Sequence, residues 1–235
     1  MVADTDATVL LPTPVGDARA HLSPCPEDVR PHAVLVLGHG AGGGSQARDL
    51  AALAQALPGQ GVAVVRVDQP WRVAGKRIAP APATLDRAWL ATVPAARDAL
   101  ADVDGRTAGL PLLLGGRSAG ARVACRTALE LGAAGVLALA FPLHPPGAAG
   151  RPERSRAGEL LGAGVPVLVA QGERDPFGGP DEMPSAPDVE LLALPGADHG
   201  LAVGRRAVPD QEAVLATLCD RAAAWATALA GGRTG

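Results

Sequence analysis

The stretch LPLLLGGRSAGARVACRTALE, residues 110–130, passes from an unbroken apolar run to a helix-compatible one through Gly116-Arg117-Ser118-Ala119-Gly120. Residues 110–114 are too few for a helix and apolar without alternation, which suits a strand buried on both faces of a parallel sheet. From 119 to 131 the pattern is helical, and Ser118 stands at the junction. A nucleophile that must project from the top of a sheet is held on such a sharp strand-to-helix turn, in a strained backbone conformation. Small residues two before and two after it make room where strand and helix nearly touch, and Gly116 and Gly120 take those places. The same turn aims the first helical N–H, that of Ala119, at a developing oxyanion. Five serines and 30 glycines in 235 residues give such a Gly-x-Ser-x-Gly match by chance only about 0.08 times. A glycine-rich turn with an incidental serine is therefore the weaker reading.

Similar apolar runs recur at 33–37, 62–67, 136–141, 165–170 and 189–194, with Ala-rich, helix-compatible stretches at 46–57, 85–100 and 211–229. That alternation predicts right-handed βαβ units and a doubly wound, mostly parallel sheet. Residues 8–22 read as a leading hairpin. With no linker, repeat or break in composition, residues 1–235 are expected to form one domain with flexible ends at 1–7 and 230–235. In such a sheet ligands gather beyond the carboxyl ends of the strands. The loops to read are 38–45, 68–77, 115–120, 142–150, 172–183 and 195–204.

A serine nucleophile needs a base, and the base needs an orienting carboxylate, in the chain order Ser, acid, His. His199, in Gly196-Ala197-Asp198-His199-Gly200, follows the last strand and fits. His144 would precede its carboxylate and is assigned instead to the pocket wall. Asp175 sits at the tip of Gly172-Glu173-Arg174-Asp175-Pro176-Phe177-Gly178, where Pro176 stiffens the backbone. Glu173, Asp181, Glu182 and Asp198 are its rivals, each more simply read as a solvated loop charge. Gly38-His39-Gly40-Ala41-Gly42-Gly43-Gly44 follows the first core strand and lacks the GxxxxGK[ST] and GxGxxG patterns of phosphate loops. It is expected to supply the second oxyanion N–H, from Ala41, with Gly42 as neighbour.

Composition narrows the partners. A net charge of -3, no basic block and few aromatic side chains give no footprint for nucleic acid. Cys25, Cys125 and Cys219 lie far apart with no Cys/His cluster, so neither a disulfide framework nor a metal site is expected, and no cofactor is implied. The segment MVADTDATVL lacks the basic and apolar parts of a signal peptide, and no apolar run approaches the roughly 20 residues of a membrane helix. A cytoplasmic chain without a membrane partner is expected, and a homodimer is compatible with the sequence.

With Ser118, Asp175, His199 and the HGAG loop in this order, the chain resembles an α/β-hydrolase. More closely it is similar to bacterial hydrolase-like proteins related to the testis-expressed protein and to subunit 3 of the nonspecific-lethal chromatin acetyltransferase complex. The stretches that carry the likeness are GHGAGGG, RVDQPWRVAGKR, GGRSAGAR, FPLHPPG, QGERDPFG and GADHG. The resemblance implies the α/β-hydrolase fold with helices on both faces of the sheet. Between Phe141 and Val165 only a short Pro/Gly/Arg-rich segment stands where larger relatives insert a helical cap, so an open site is expected. His39, Gly42, Trp71, Arg72, His144 and Phe177 should border the substrate. The reading is a serine hydrolase for esters or thioesters of a small acyl group, with Ser118 attacking, His199 moving the proton and Asp175 holding the imidazole. Its rival is a non-catalytic interaction module in which Trp71, Arg72, Lys76 and Arg77 form a docking surface.

Overall fold

Runs of Val, Leu and Ala become strands where both faces can be covered, and Ala-rich stretches become the helices that cover them. The computed structural model describes residues 7–145, 147 and 151–232. Its strands are β1 (Ala7–Leu11), β2 (Ala18–Ser23), β3 (Ala33–Gly38), β4 (Val62–Asp68), β5 (Leu112–Arg117), β6 (Gly135–Leu139), β7 (Val167–Gly172) and β8 (Val189–Leu194). Its helices are α1 (Arg48–Ala56), α2 (Pro70–Val73), α3 (Pro82–Val103), α4 (Ala119–Thr127), α5 (Ala157–Leu161) and α6 (Gln211–Gly231). The strands form one sheet in the order β1-β2-β4-β3-β5-β6-β7-β8, in which β3 to β8 run parallel and β2 pairs antiparallel with both β1 and β4. The architecture is the α/β-hydrolase fold.

Alternate residues of each central strand serve opposite cores. Val34, Val36, Val65, Leu112, Leu114, Val136 and Val169 face Leu85, Trp89 and Val93 of α3 and Val123 of α4. Leu35, Leu37, Val64, Leu113, Leu137 and Leu168 face Leu50 and Leu53 of α1 and Leu218, Ala222 and Trp225 of α6. Burying both faces is why these runs show no polar alternation. β8 is the exception: it lies at the sheet edge, with Val189 to Ala193 partly exposed and only Leu194 buried.

Several boundaries move from their sequence positions. β5 starts at Leu112 and continues through two glycines to Arg117, because β3 and β6 flank it and supply backbone partners. α3 begins with Pro82 in its first turn, where a missing N–H costs nothing, and reaches Val103. α4 ends at Thr127, earlier than expected; the short α2 lies within the 68–77 loop, and the short α5 within the Pro/Gly/Arg-rich segment between Phe141 and Val165. Ala7 opens β1, and Ala230 and Gly231 close α6, so those end residues are ordered parts of elements. Gly232 caps that helix, while residues 1–6 and 233–235, and part of the 142–150 loop, fall outside the described residues. α6 is also long and apolar enough to cross a membrane by length and a mean hydropathy of 1.2. Its Val214, Leu218, Ala222 and Trp225 are instead packed on the sheet.

Candidate active site

Ser118 follows β5 directly, at φ 54° and ψ −110°, a left-handed conformation that costs a non-glycine residue about 1–3 kcal/mol. The surrounding backbone holds it there. The Ser118 N–H donates to the Leu139 carbonyl at 2.9 Å. A Cβ on Gly116 would come within 2.6 Å of the Gly38 carbonyl oxygen, and one on Gly120 would run into that same carbonyl. β3, β5 and α4 thus meet backbone to backbone, which only glycine permits. A serine in the N-cap position usually accepts a helix N–H. Here the side chain makes no cap bond, and its Oγ lies 3.0 Å from His199 Nε2.

The imidazole is held from behind. His199 Nδ1–H donates to Asp175 Oδ2 at 2.8 Å, and the Asp175 side chain has no exposed surface. Both carboxylate oxygens are occupied: the Phe177 N–H donates to Oδ1 at 2.8 Å, and Gln171 Nε2 donates to Oδ2 at 3.0 Å. Gln171 in turn donates to the Gly178 carbonyl at 2.7 Å, tying β7 to the loop that carries the acid. Phe177 meets the His199 ring edge-on, with centroids 4.6 Å apart.

The rival acids have other work. Glu173 accepts the Gly196 N–H at 2.9 Å, and Asp198 Oδ1 accepts from Gly200 and Ala202 N–H at 2.7 and 3.0 Å, so each shapes the loop that carries His199. Glu182 accepts from His144 Nε2 at 2.9 Å, and Asp181 is exposed.

On the other side, the glycine loop after β3 is clamped by its own histidine. His39 Nδ1–H donates to the Gly40 carbonyl at 2.8 Å and its Nε2 accepts the Gln69 N–H at 3.1 Å, an arrangement that needs the neutral ring. Burial lowers its pKa in the same sense, outweighing the Gly40 carbonyl and Asp68. Burial pushes the Asp68 carboxyl up, but hydrogen bonds from His21 and Ser45 outweigh it and hold the group well below the usual carboxylate range. Through Asp68 Oδ1, which accepts the Ser45 N–H at 2.8 Å, the end of β4 fixes the end of the glycine loop. A Cβ on Gly40 would lie 3.3 Å from Ser118 Cβ, so this loop passes directly beside the serine. The N–H groups of Ala41 and Ala119 donate to nothing among the described residues.

The rim differs from expectation. Trp71 is buried at 6% exposure, its ring 5.5 Å from that of His39, because α2 folds Pro70 and Trp71 under the glycine loop. It is no open lip, and a docking surface built on it loses its largest side chain. Arg72 is exposed, with Nε close to Gly44, while Gly42 is open to solvent. His144 is buried and committed to Glu182, so it is a strut for the 177–182 segment. His39 likewise holds its loop with both ring nitrogens. Phe177 is half-buried against the imidazole.

Two contributors escape sequence reasoning. Gln171 is the one polar side chain in the β7 run VLVAQG, a signal that was available. Arg117 Nη2 donates to the His199 carbonyl at 2.6 Å, while its Nε stands 3.2 Å from Asp49 Oδ2, close enough for charge pairing but without hydrogen-bond alignment. Asp49 is wholly buried at the start of α1, and burial raises its pKa against the pull of Arg117. Among the described residues no cluster of His, Cys, Asp or Glu could hold a metal ion. All three cysteines are buried thiols, pushed by burial to about 11 at Cys25 and Cys219 and about 12 at Cys125.

No curated protein matches this chain. Among solved structures it is similar to an α/β serine hydrolase without lid from Xanthomonas campestris, at TM-score 0.70 and 19% identity, covering 94% of each chain. It is also similar to a soluble variant of monoglyceride lipase from Saccharomyces cerevisiae, at TM-score 0.67 and 14% identity over 95% of this chain and 96% of that one. The esterase domain of a Rhodothermus marinus protein matches at TM-score 0.60 and 17% identity, over 92% and 97%. At such identities the likeness is one of fold. The family model described as an alpha/beta hydrolase domain matches residues 31–227, from the start of the parallel sheet into its last helix, and the chain belongs to that family.

Proposed function

We propose that the protein is a serine hydrolase that cleaves an ester or thioester of a small acyl group. The observation that carries this reading is the unbroken line from buried Asp175 through His199 to Ser118 Oγ, with the serine hydroxyl left free of helix capping. In the first half-reaction Ser118 Oγ attacks the acyl carbon and His199 Nε2 takes its proton. The Ala41 and Ala119 N–H groups receive the oxyanion. Collapse breaks the bond to the leaving oxygen or sulfur, which takes the proton from His199. Water then attacks the acyl-serine and gives a proton to His199, which returns it to Ser118 as the carboxylic acid departs. Asp175 stays ionised and stabilises the imidazolium.

The narrower kinship, with bacterial proteins related to the testis-expressed protein, belongs to the proposal and rests on stretches such as GHGAGGG and GGRSAGAR. The test is labelling by a fluorophosphonate and hydrolysis of an activated acetate ester, in wild type and Ser118→Ala. Loss of both in the variant supports the reading; undiminished labelling moves the nucleophile elsewhere and refutes it.

A further inference from the structure

Below the glycine loop lies a cavity of about 10 Å3 lined by His39, Ala41, Trp71, Leu85, Ala119 and Val123. That is room for about one water-sized group. Its position relative to the reacting atoms is informative. It borders both residues whose N–H groups face the oxyanion in the mechanism above, whereas no residue of the loop carrying His199 lines it. The leaving group must sit on the His199 side, because Nε2 returns the proton to it. With the oxyanion turned to Ala41 and Ala119, the substituent left to enter this cavity is the acyl chain.

The lining suits a methyl group. Trp71, Ala79, Leu85 and Val123 supply apolar walls, and the ring nitrogens of His39 are already bonded to Gly40 and Gln69. Behind the far wall the chain has unused space. A second cavity of about 290 Å3 is lined by Val73, Ile78, Thr84 and Ala88, and Trp71 and Gln69 line both cavities. The indole, pinned on His39 at 5.5 Å, separates a methyl-sized space from one that would hold several more methylenes.

We propose that the small cavity is the acyl pocket, that it restricts the enzyme to acetyl esters or thioesters, and that Trp71 is the residue setting this limit. The assignment deepens the hydrolase reading and rests on it. One methylene too many in a fitted apolar pocket costs about 10–200-fold in specificity. Wild type should therefore cleave p-nitrophenyl acetate with a kcat/KM at least tenfold above that for the butyrate and show no measurable turnover of the octanoate.

Trp71→Ala joins the two cavities and should raise the octanoate-to-acetate ratio at least a hundredfold. Because removing a buried indole can unfold the chain, Leu85→Ala provides a second measurement: it widens the small cavity alone and should raise the butyrate-to-acetate ratio about tenfold without admitting octanoate. Fluorophosphonate labelling of Ser118 runs in parallel. Wild type that is labelled but prefers butyrate or octanoate, or folded variants whose ratios stay at the wild-type value, overturns the pocket and leaves the hydrolase reading standing. Absence of both labelling and hydrolysis of every ester refutes the hydrolase reading and the pocket with it.

Discussion

Replacing Asp175 by Asn keeps the shape of the buried side chain while exchanging an acceptor for a donor, and the surrounding hydrogen bonds dictate how the new amide must sit. The Phe177 N–H at 2.8 Å requires an acceptor at the Oδ1 position, so the carbonyl oxygen of Asn must occupy it. The amide NH2 then faces His199 Nδ1 and Gln171 Nε2, both of which donate in the wild type. His199 can respond only by carrying its proton on Nε2, where it points at Ser118 and can no longer accept the hydroxyl proton. Gln171 could relieve the second clash by turning its unpartnered Oε1 toward the new amide. It would then surrender the 2.7 Å bond to the Gly178 carbonyl. Holding the base in the wrong tautomer costs about 10⁴ in kcat, equivalent to about 5.5 kcal/mol at 1.36 kcal/mol per factor of ten. Turnover of p-nitrophenyl acetate by Asp175→Asn, with circular dichroism to check the fold, measures it. A kcat within tenfold of wild type would refute the assignment of this carboxylate. Asp198→Asn is the matched control: it retains an oxygen for the Gly200 and Ala202 N–H groups and should stay within about tenfold of wild type, far above Asp175→Asn.

Gly120→Ala drives a methyl group into the Gly38 carbonyl and should cost about 1–3 kcal/mol or more, lowering Tm by roughly 2–4 °C per kcal/mol at this chain length. Gly42→Ala, with nothing within 4 Å of its new Cβ, should leave Tm unchanged; equal shifts in the two melting curves would contradict the backbone contact. Arg117→Met strips the cation from buried Asp49 and should destabilise by about 3–5 kcal/mol. Adding Asp49→Asn should recover much of that loss in urea unfolding, and strict additivity of the two substitutions would show the groups uncoupled. His39 stays neutral in the fold because burial lowers its pKa, whereas the unfolded chain takes up a proton below pH 6.5. Its contribution to stability is therefore present above that pH and falls by at most about 1.4 kcal/mol per pH unit below it. Urea midpoints between pH 7.5 and 5.5 should show a shallower loss in His39→Asn, and an unchanged slope would remove His39 as the cause.

Features legible along the chain are those whose cause is local. The elbow around Ser118 is readable because an apolar run, two glycines and a helical pattern adjoin in a few residues, and the crowding they relieve involves the turn's own backbone and its neighbouring strand. Five of the six parallel strands are legible for a similar reason, since a run covered on both faces has no polar side to present, and the edge strand β8 is apolar apart from Glu190. Tertiary structure alone decided the partners. Whether Asp175 or one of its rivals meets His199 depends on how β7 and β8 align their following loops, which direct Glu173 to the Gly196 N–H and Asp198 to the Gly200 and Ala202 N–H groups. Trp71, in a Pro-Trp-Arg segment, looks like an exposed loop residue until α2 tucks it against His39. The pairing of Arg117 with Asp49 joins the end of β5 to the start of α1 far away in sequence, and only the tertiary fold brings that cation to the buried carboxylate. Local sterics and periodicity act between near neighbours and leave their trace in the order of residues, while burial and polar pairing depend on segments brought together by the sheet.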